Sequence, residues 1–186
     1  MAIAQTPLTL DEFLALPEEE PALEFECGKV IQKAAPQAYH SVVQAFIVER
    51  VNRIVTPGKR GFAFPELRTT LEQRSYVPDI AVYRWSRVPV DEHGRVIQRF
   101  TTVPDVAIEI ASPGQSTNFL TRRCIWYTAN DALAAVLVDP QDESVVVFRP
   151  GRTPESLQRG DHLSLPELDP ELSISLDELF DSLNFQ

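Results

Sequence analysis

Two carboxylates stand where strands do not ordinarily carry them. Asp79 follows Pro78 and opens the run Ile80-Ala81-Val82-Tyr83, and Glu109 lies inside Val106-Ala107-Ile108-Glu109-Ile110-Ala111. Alternate side chains of a strand share a face, so Val106, Ile108 and Ile110 point one way and Glu109 the other, between two alanines too small to shield it. A carboxylate so placed costs on the order of several kcal/mol unless it is paired, hydrogen-bonded or bound to a cation. Two carboxylates converging on neighbouring strands suit a hard divalent ion, Mg²⁺ or Mn²⁺, which takes oxygen ligands and keeps waters for a phosphate substrate. Such an ion lowers the pKa of a bound water and neutralises charge on a scissile phosphate. The same residues admit a plainer reading, in which Glu109 is salt-bridged to an arginine and Asp79 caps a turn after Pro78. On these residues alone both readings stand.

The elements that must position this pair follow from pattern. Thr9 with Glu12 has the spacing of a capping box and predicts a short helix ending at Pro17. Residues 22–34 predict two extended pieces around Cys27-Gly28, the first carrying Glu24. Val42, Val43, Phe46, Ile47, Val51, Ile54 and Val55 recur at helical spacing and predict a helix from Ala38 to Thr56, stopped by Pro57-Gly58. Strand-like pieces follow at 61–64, 67–71, 79–83 and 104–111, with an arginine-rich connection from Arg84 to Thr102. A second helix is expected over 116–129, then strands at Ala134–Val138 and Val145–Arg149. Leu172 and Ile174 alternate, and Ser175 with Glu178 caps a terminal helix. Helices interleaved with central strands predict an α/β fold, a mixed sheet with a helix on each face, and residues 1–186 are expected to form one domain.

Composition restricts the classes open to this chain. At 186 residues and 44% apolar it can bury a proper core. No run approaches the roughly 20 apolar residues that cross a bilayer, and no signal-peptide pattern opens the chain, which predicts a cytoplasmic protein without a membrane partner. Cys27 and Cys124 have no metal-ligand spacing and are expected to be buried free thiols. The net charge of −10 argues against a polyanion partner, but its distribution does not. Residues 1–26 hold seven acids and no base, residues 155–186 hold eight acids and one base, and residues 27–154 hold 16 bases against 12 acids. The middle of the chain can therefore face a phosphate backbone.

Val77-Pro78-Asp79-Ile80-Ala81-Val82, then Pro104-Asp105-Val106-Ala107-Ile108-Glu109-Ile110-Ala111-Ser112-Pro113, a helix containing Tyr127, and Val136-Leu137-Val138-Asp139-Pro140 together resemble the Uma-type restriction endonuclease family of the PD-(D/E)xK nuclease superfamily. Upstream, Leu23-Glu24-Phe25-Glu26-Cys27-Gly28 resembles that family's Tyr-Glu-x-x-x-Gly segment, and His40 opens the helix where the family often has a histidine. The resemblance covers roughly residues 10 to 148. It implies a restriction-endonuclease-like α/β core, often a homodimer, with Asp79 and Glu109 as the metal-binding pair and Glu24 as a further acidic site residue. The superfamily's lysine, two residues after the glutamate, is replaced by Ala111, and the family's helical lysine, four residues before the tyrosine, by Arg123. Lys29, Lys33 and Lys59 all precede Asp79, so no lysine fills either place. The family's tryptophan near the Val-Asp-Pro strand is also missing, since Ala134-Ala135-Val136 stands there.

Two functions from different classes follow. One is a metal-dependent DNA endonuclease in which Asp79 and Glu109 hold the ion, Glu24 assists, Arg123 stands near the phosphate, and cleavage is weak or absent for want of the usual lysine. The other is a catalytically degenerate nuclease fold kept as a DNA-binding or protein-interaction module. A structural or small-molecule-binding oligomer is a third, which the net charge suits. His40 is expected to cap or pack its helix, Asp105 and Asp139 to serve turns, and Trp85 and Trp126 to anchor the fold.

Overall fold

Proline- and glycine-marked turns divide the chain into four α-helices, one short 3-10 helix (Trp85–Arg87) and twelve strands over residues 8–185, the residues described in this computed structural model. In order these are α1 (Leu10–Leu14), β1 (Leu23–Glu26), β2 (Lys29–Gln32), α2 (Ala38–Val55), β3 (Gly61–Pro65), β4 (Thr69–Leu71), β5 (Arg74–Tyr76) and β6 (Ile80–Arg84). There follow β7 (Val106–Ile110), α3 (Thr117–Ala129), β8 (Ala134–Asp139), β9 (Ser144–Phe148), β10 (Glu155–Gln158), β11 (His162–Ser164), β12 (Ser173–Ser175) and α4 (Leu176–Asp181). The expected mixed α/β architecture is present.

Six strands form the main sheet in the order β10-β9-β8-β7-β6-β3. All its neighbours are antiparallel except β7 and β8, which run parallel. A parallel pair needs a crossover, and α3 supplies it. Strand alternation then divides the core. Ile80, Val82, Val106, Ile108, Ile110 and Val136 pack with Val43, Ile47, Val51 and Val55 of α2, whose four-residue spacing keeps them on one stripe, and with Leu176, Leu179 and Phe180 of α4. Ala107, Ala135 and Leu137 pack with Leu120, Cys124 and Tyr127 of α3. Glu109, by parity, belongs to this second face.

A four-stranded antiparallel sheet in the order β2-β1-β5-β4 lies beside the main one, and the short link Val77-Pro78-Asp79 carries the chain from β5 into β6. Of its strands, β5 was not anticipated, nor were β10 and β11 elsewhere, because three- and four-residue polar strands leave almost no alternation to read. Glu26 pairs with Lys29 across Cys27 (φ 47°) and Gly28 (φ 87°), the two positive φ values that a tight hairpin turn requires. This turn also corrects one expectation: Cys27 is exposed at its tip, and only Cys124 is buried. Both capping boxes expected at the chain ends place a hydroxyl on the N3 amide: Thr9 Oγ1 accepts from Glu12 N and Ser175 Oγ from Glu178 N. No helix of the described residues is long and apolar enough to cross a membrane.

Candidate active site

The register of β6 on β7 pairs Ile80 with Ile108, and one further step places Asp79 opposite Glu109. Both are buried, at 2% and 1% exposure. The two strands are also tied by a side chain, since Asp79 Oδ2 accepts a hydrogen bond from the Ile110 amide at 2.5 Å. The other oxygen, Oδ1, lies 2.6 Å from Lys33 Nζ and 3.0 Å from His40 Nε2. Burial alone would raise the Asp79 pKa, but the His40 imidazole and Lys33 ammonium outweigh it and hold the carboxyl below its ordinary range.

Glu109 has the opposite balance. Its burial pushes the pKa up to about 8; Arg123 opposes this, while the negative charges of Asp79 and Glu24 add to it. Tyr127 donates its hydroxyl to Glu109 Oε1 at 3.1 Å, and an Arg123 terminal nitrogen lies 3.5 Å from the same oxygen. Tyr127 and Arg123 share one side of α3 because they are four residues apart.

Arg123 is itself buried, at 5% exposure. It donates to both oxygens of Glu24, at 3.1 Å to Oε1 and by a closer contact to Oε2, and its guanidinium lies over the rings of Tyr76 and Phe119 at 4.5 and 4.8 Å. Glu24 Oε1 also accepts from the Val77 amide at 2.8 Å. Glu24 thus fixes the guanidinium and the backbone just ahead of Asp79. Of the four residues singled out in the sequence, Glu24, Arg123 and Glu109 are joined by side-chain contacts, and Asp79 lies beside them, tied to the Ile110 amide next to Glu109.

Three further residues join them: Lys33 and Gln44, which were not named as site candidates, and His40, which was read as a cap or packing residue. Lys33 lies just beyond β2, and the pairing of Glu24 with Ile31 carries it to the site; no lysine fills either motif position, but this one reaches Asp79 from elsewhere in the fold. Its ammonium touches both Asp79 and Glu66, and although burial would lower its pKa, those carboxylates and Glu109 raise it, so Lys33 stays charged. His40 is buried against Asp79 rather than capping α2, whose N-cap is Gln37. Gln44, one turn on, donates to Glu66 Oε1 at 2.9 Å and to the Asp79 carbonyl at 2.8 Å. One donor atom from each of His40, Glu66 and Asp79 lies within 4.8 Å of the other two. A cavity of about 350 Å³ opens beside Lys33, His40, Gln44 and Glu66.

Other candidates lie elsewhere. Asp105 is not a solvent-facing turn residue: it is 1% exposed, accepts from the Arg84 amide at 2.8 Å and pairs with Arg87 at 2.9 Å. Asp139 accepts from the Gln141 and Asp142 amides, the turn role expected of it. Trp126 packs edge-on against Tyr76 and Tyr127, while Trp85 is 41% exposed.

The family model described as "Uma2: Putative restriction endonuclease" matches residues 10–177. A crystal structure from Anabaena variabilis, described as "a putative nuclease belonging to DUF820", is similar in fold with a TM-score of 0.92. It is 40% identical, and the match covers 96% of this chain and 100% of that one. No curated protein matches.

Proposed function

Because this chain belongs to the Uma2 family of restriction-endonuclease-like proteins, we propose that it is a divalent-metal-dependent nuclease that hydrolyses DNA phosphodiester bonds, with Asp79 and Glu109 holding the ion. The observation that carries this reading is the placement of two buried carboxylates side by side, Glu109 within β7 and Asp79 just ahead of β6, where continuation of the β6–β7 register sets them opposite each other. Oxygen donors of this kind fit Mg²⁺ or Mn²⁺. A bound ion would supply an acidified water and charge neutralisation at the phosphate.

The surrounding residues prepare these two ligands. Ile110 N fixes one Asp79 oxygen, and Lys33 and His40 lie against the other. Tyr127 O–H and Arg123 hold one Glu109 oxygen, and Glu24 holds Arg123 in turn, the kind of outer contact that orients a metal ligand. Arg123 keeps its charge and cannot act as a base, so its contribution is electrostatic. Hydrolysis would add a water oxygen to phosphorus and break one P–O ester bond, leaving the proton with the departing alkoxide. The catalytically degenerate alternative rested on the lysine absent from both motif positions; Lys33, just beyond β2, brings an ammonium to Asp79 by another route. A homodimer would present two sites to the two strands of a duplex, and light scattering at micromolar concentration checks it.

Calorimetric titration with Mn²⁺ tests the metal. Wild type should bind and Glu109→Ala should bind at least about tenfold more weakly, as expected for loss of one of two charged ligands. Equal binding by the two proteins would remove Glu109 from the site.

A further inference from the structure

Lys33 stands inside a set of potential metal ligands. Its ammonium contacts Asp79 Oδ1 at 2.6 Å and touches Glu66 Oε2, and these two carboxylates together with His40 form the trio whose donor atoms lie within 4.8 Å of one another. We propose that the His40, Glu66 and Asp79 side chains form a second divalent-cation position, distinct from the one between Asp79 and Glu109, and that the tethered ammonium of Lys33 occupies it as a built-in monovalent cation.

Several independent features converge on this. Asp79 Oδ1 is buried and aimed into the trio, where its near neighbours are the Lys33 ammonium and His40 Nε2, so it already faces a cation there. Glu66 is 42% exposed at its side chain, yet the Gln44 amide holds it, and the same amide holds the Asp79 carbonyl. One side chain thereby sets the spacing of two of the three ligands, as outer contacts do at metal sites. His40 presents Nε2 to the same oxygen that Lys33 touches. The cavity of about 350 Å³ gives the trio an entry path. A lysine ammonium is a compact charge on a flexible stem, suited to neutralising two carboxylates and to swinging out of the way. An imidazole nitrogen beside two carboxylates suits Mn²⁺ better than Mg²⁺.

The position rests on the same Asp79 as the proposed nuclease site, and the following experiment separates the two. Mn²⁺ binding is measured by equilibrium dialysis and by electron paramagnetic resonance on wild type, Lys33→Met, Lys33→Met with His40→Ala, and Glu109→Gln. Wild type should take up one ion, which Glu109→Gln weakens. Lys33→Met should take up a second ion, bound at least about tenfold more tightly than any second ion of wild type, since a positive charge within contact distance is removed. Adding His40→Ala should abolish the second ion and spare the first. Lys33→Gln serves as a second variant should Lys33→Met fold poorly, and should behave alike. If wild type binds one ion and neither Lys33 variant gains another, the second position is wrong while the Asp79 and Glu109 site stands. If the Lys33 variants gain an ion that wild type lacks altogether, the second position is right and the wild-type metal reading fails. Binding by none of the proteins would overturn both.

Discussion

Arg123 donates both of its terminal nitrogens to the Glu24 carboxylate, joining α3 to β1 across 99 residues of sequence inside a buried, aromatic-walled niche. Neither partner can reach water when the other is gone. Removing one side of a buried pair therefore costs far more than the pair itself contributes.

Arg123→Ala should lower the unfolding free energy by roughly 3 kcal/mol, as the loss of one partner of a buried pair does. Replacing both residues, as Glu24→Leu with Arg123→Met, should recover part of that loss. Urea unfolding followed by circular dichroism measures both. A single substitution within about 0.5 kcal/mol of wild type, the range of ordinary surface changes, would show that the pair is not buried as described.

Glu109 makes the metal-free protein sensitive to alkali. Burial raises its folded pKa from an ordinary carboxylate value to about 8, so between roughly pH 4.5 and 8 the folded state binds more protons than the unfolded state. Stability from this group is full below that window and declines as pH rises through it. Wild type should lose stability relative to Glu109→Gln between pH 5 and pH 8 without divalent ions, and Mn²⁺ should reverse the trend by favouring the charged form. A pH-independent difference between the two proteins would contradict this.

Arg122, next to the buried Arg123, faces solvent on α3 and has no ion-pair partner among the described residues. Many other central arginines are engaged: Arg50 with Glu178, Arg84 and Arg87 with Asp105, Arg149 with Glu167. The basic middle of the sequence thus offers phosphates fewer charges than its composition suggests. DNA affinity should fall with salt, and Arg122→Ala should reduce the slope of log K against log salt by about 1. Fluorescence anisotropy over a salt series decides this; an unchanged slope would place the backbone contacts elsewhere.

The legibility of this site divides along the kind of signal each residue leaves. Asp79 and Glu109 were readable because each interrupts an apolar strand pattern, and the β6–β7 register then does what strand adjacency suggested. Arg123 and Glu24 entered through the family resemblance, and their mutual pairing was not visible, since nothing in either segment encodes a contact over 99 residues. Lys33 fills neither motif position and was not named as a site residue; only the β1–β2 hairpin carries it to Asp79, and a lone lysine before Ala34-Ala35-Pro36 leaves no pattern of its own. His40 was read as a helix-start residue because its burial depends on β6, a strand 40 residues later in the chain. The main sheet and α2 were legible from period alone, whereas β5, β10 and β11 are too short to show one.

Cleavage of supercoiled plasmid DNA tests the central claim most directly. Wild type, Asp79→Asn and Glu109→Gln are compared in Mn²⁺, in Mg²⁺ and in a chelator, after circular dichroism has shown that all three are folded. Wild type should nick the plasmid only with a divalent ion, and each substitution should slow nicking by at least about a hundredfold, the scale on which loss of one catalytic electrostatic contact acts. Nicking by wild type in the chelator, or undiminished nicking by Glu109→Gln, would contradict the assignment of Asp79 and Glu109 as the metal-binding pair of a nuclease.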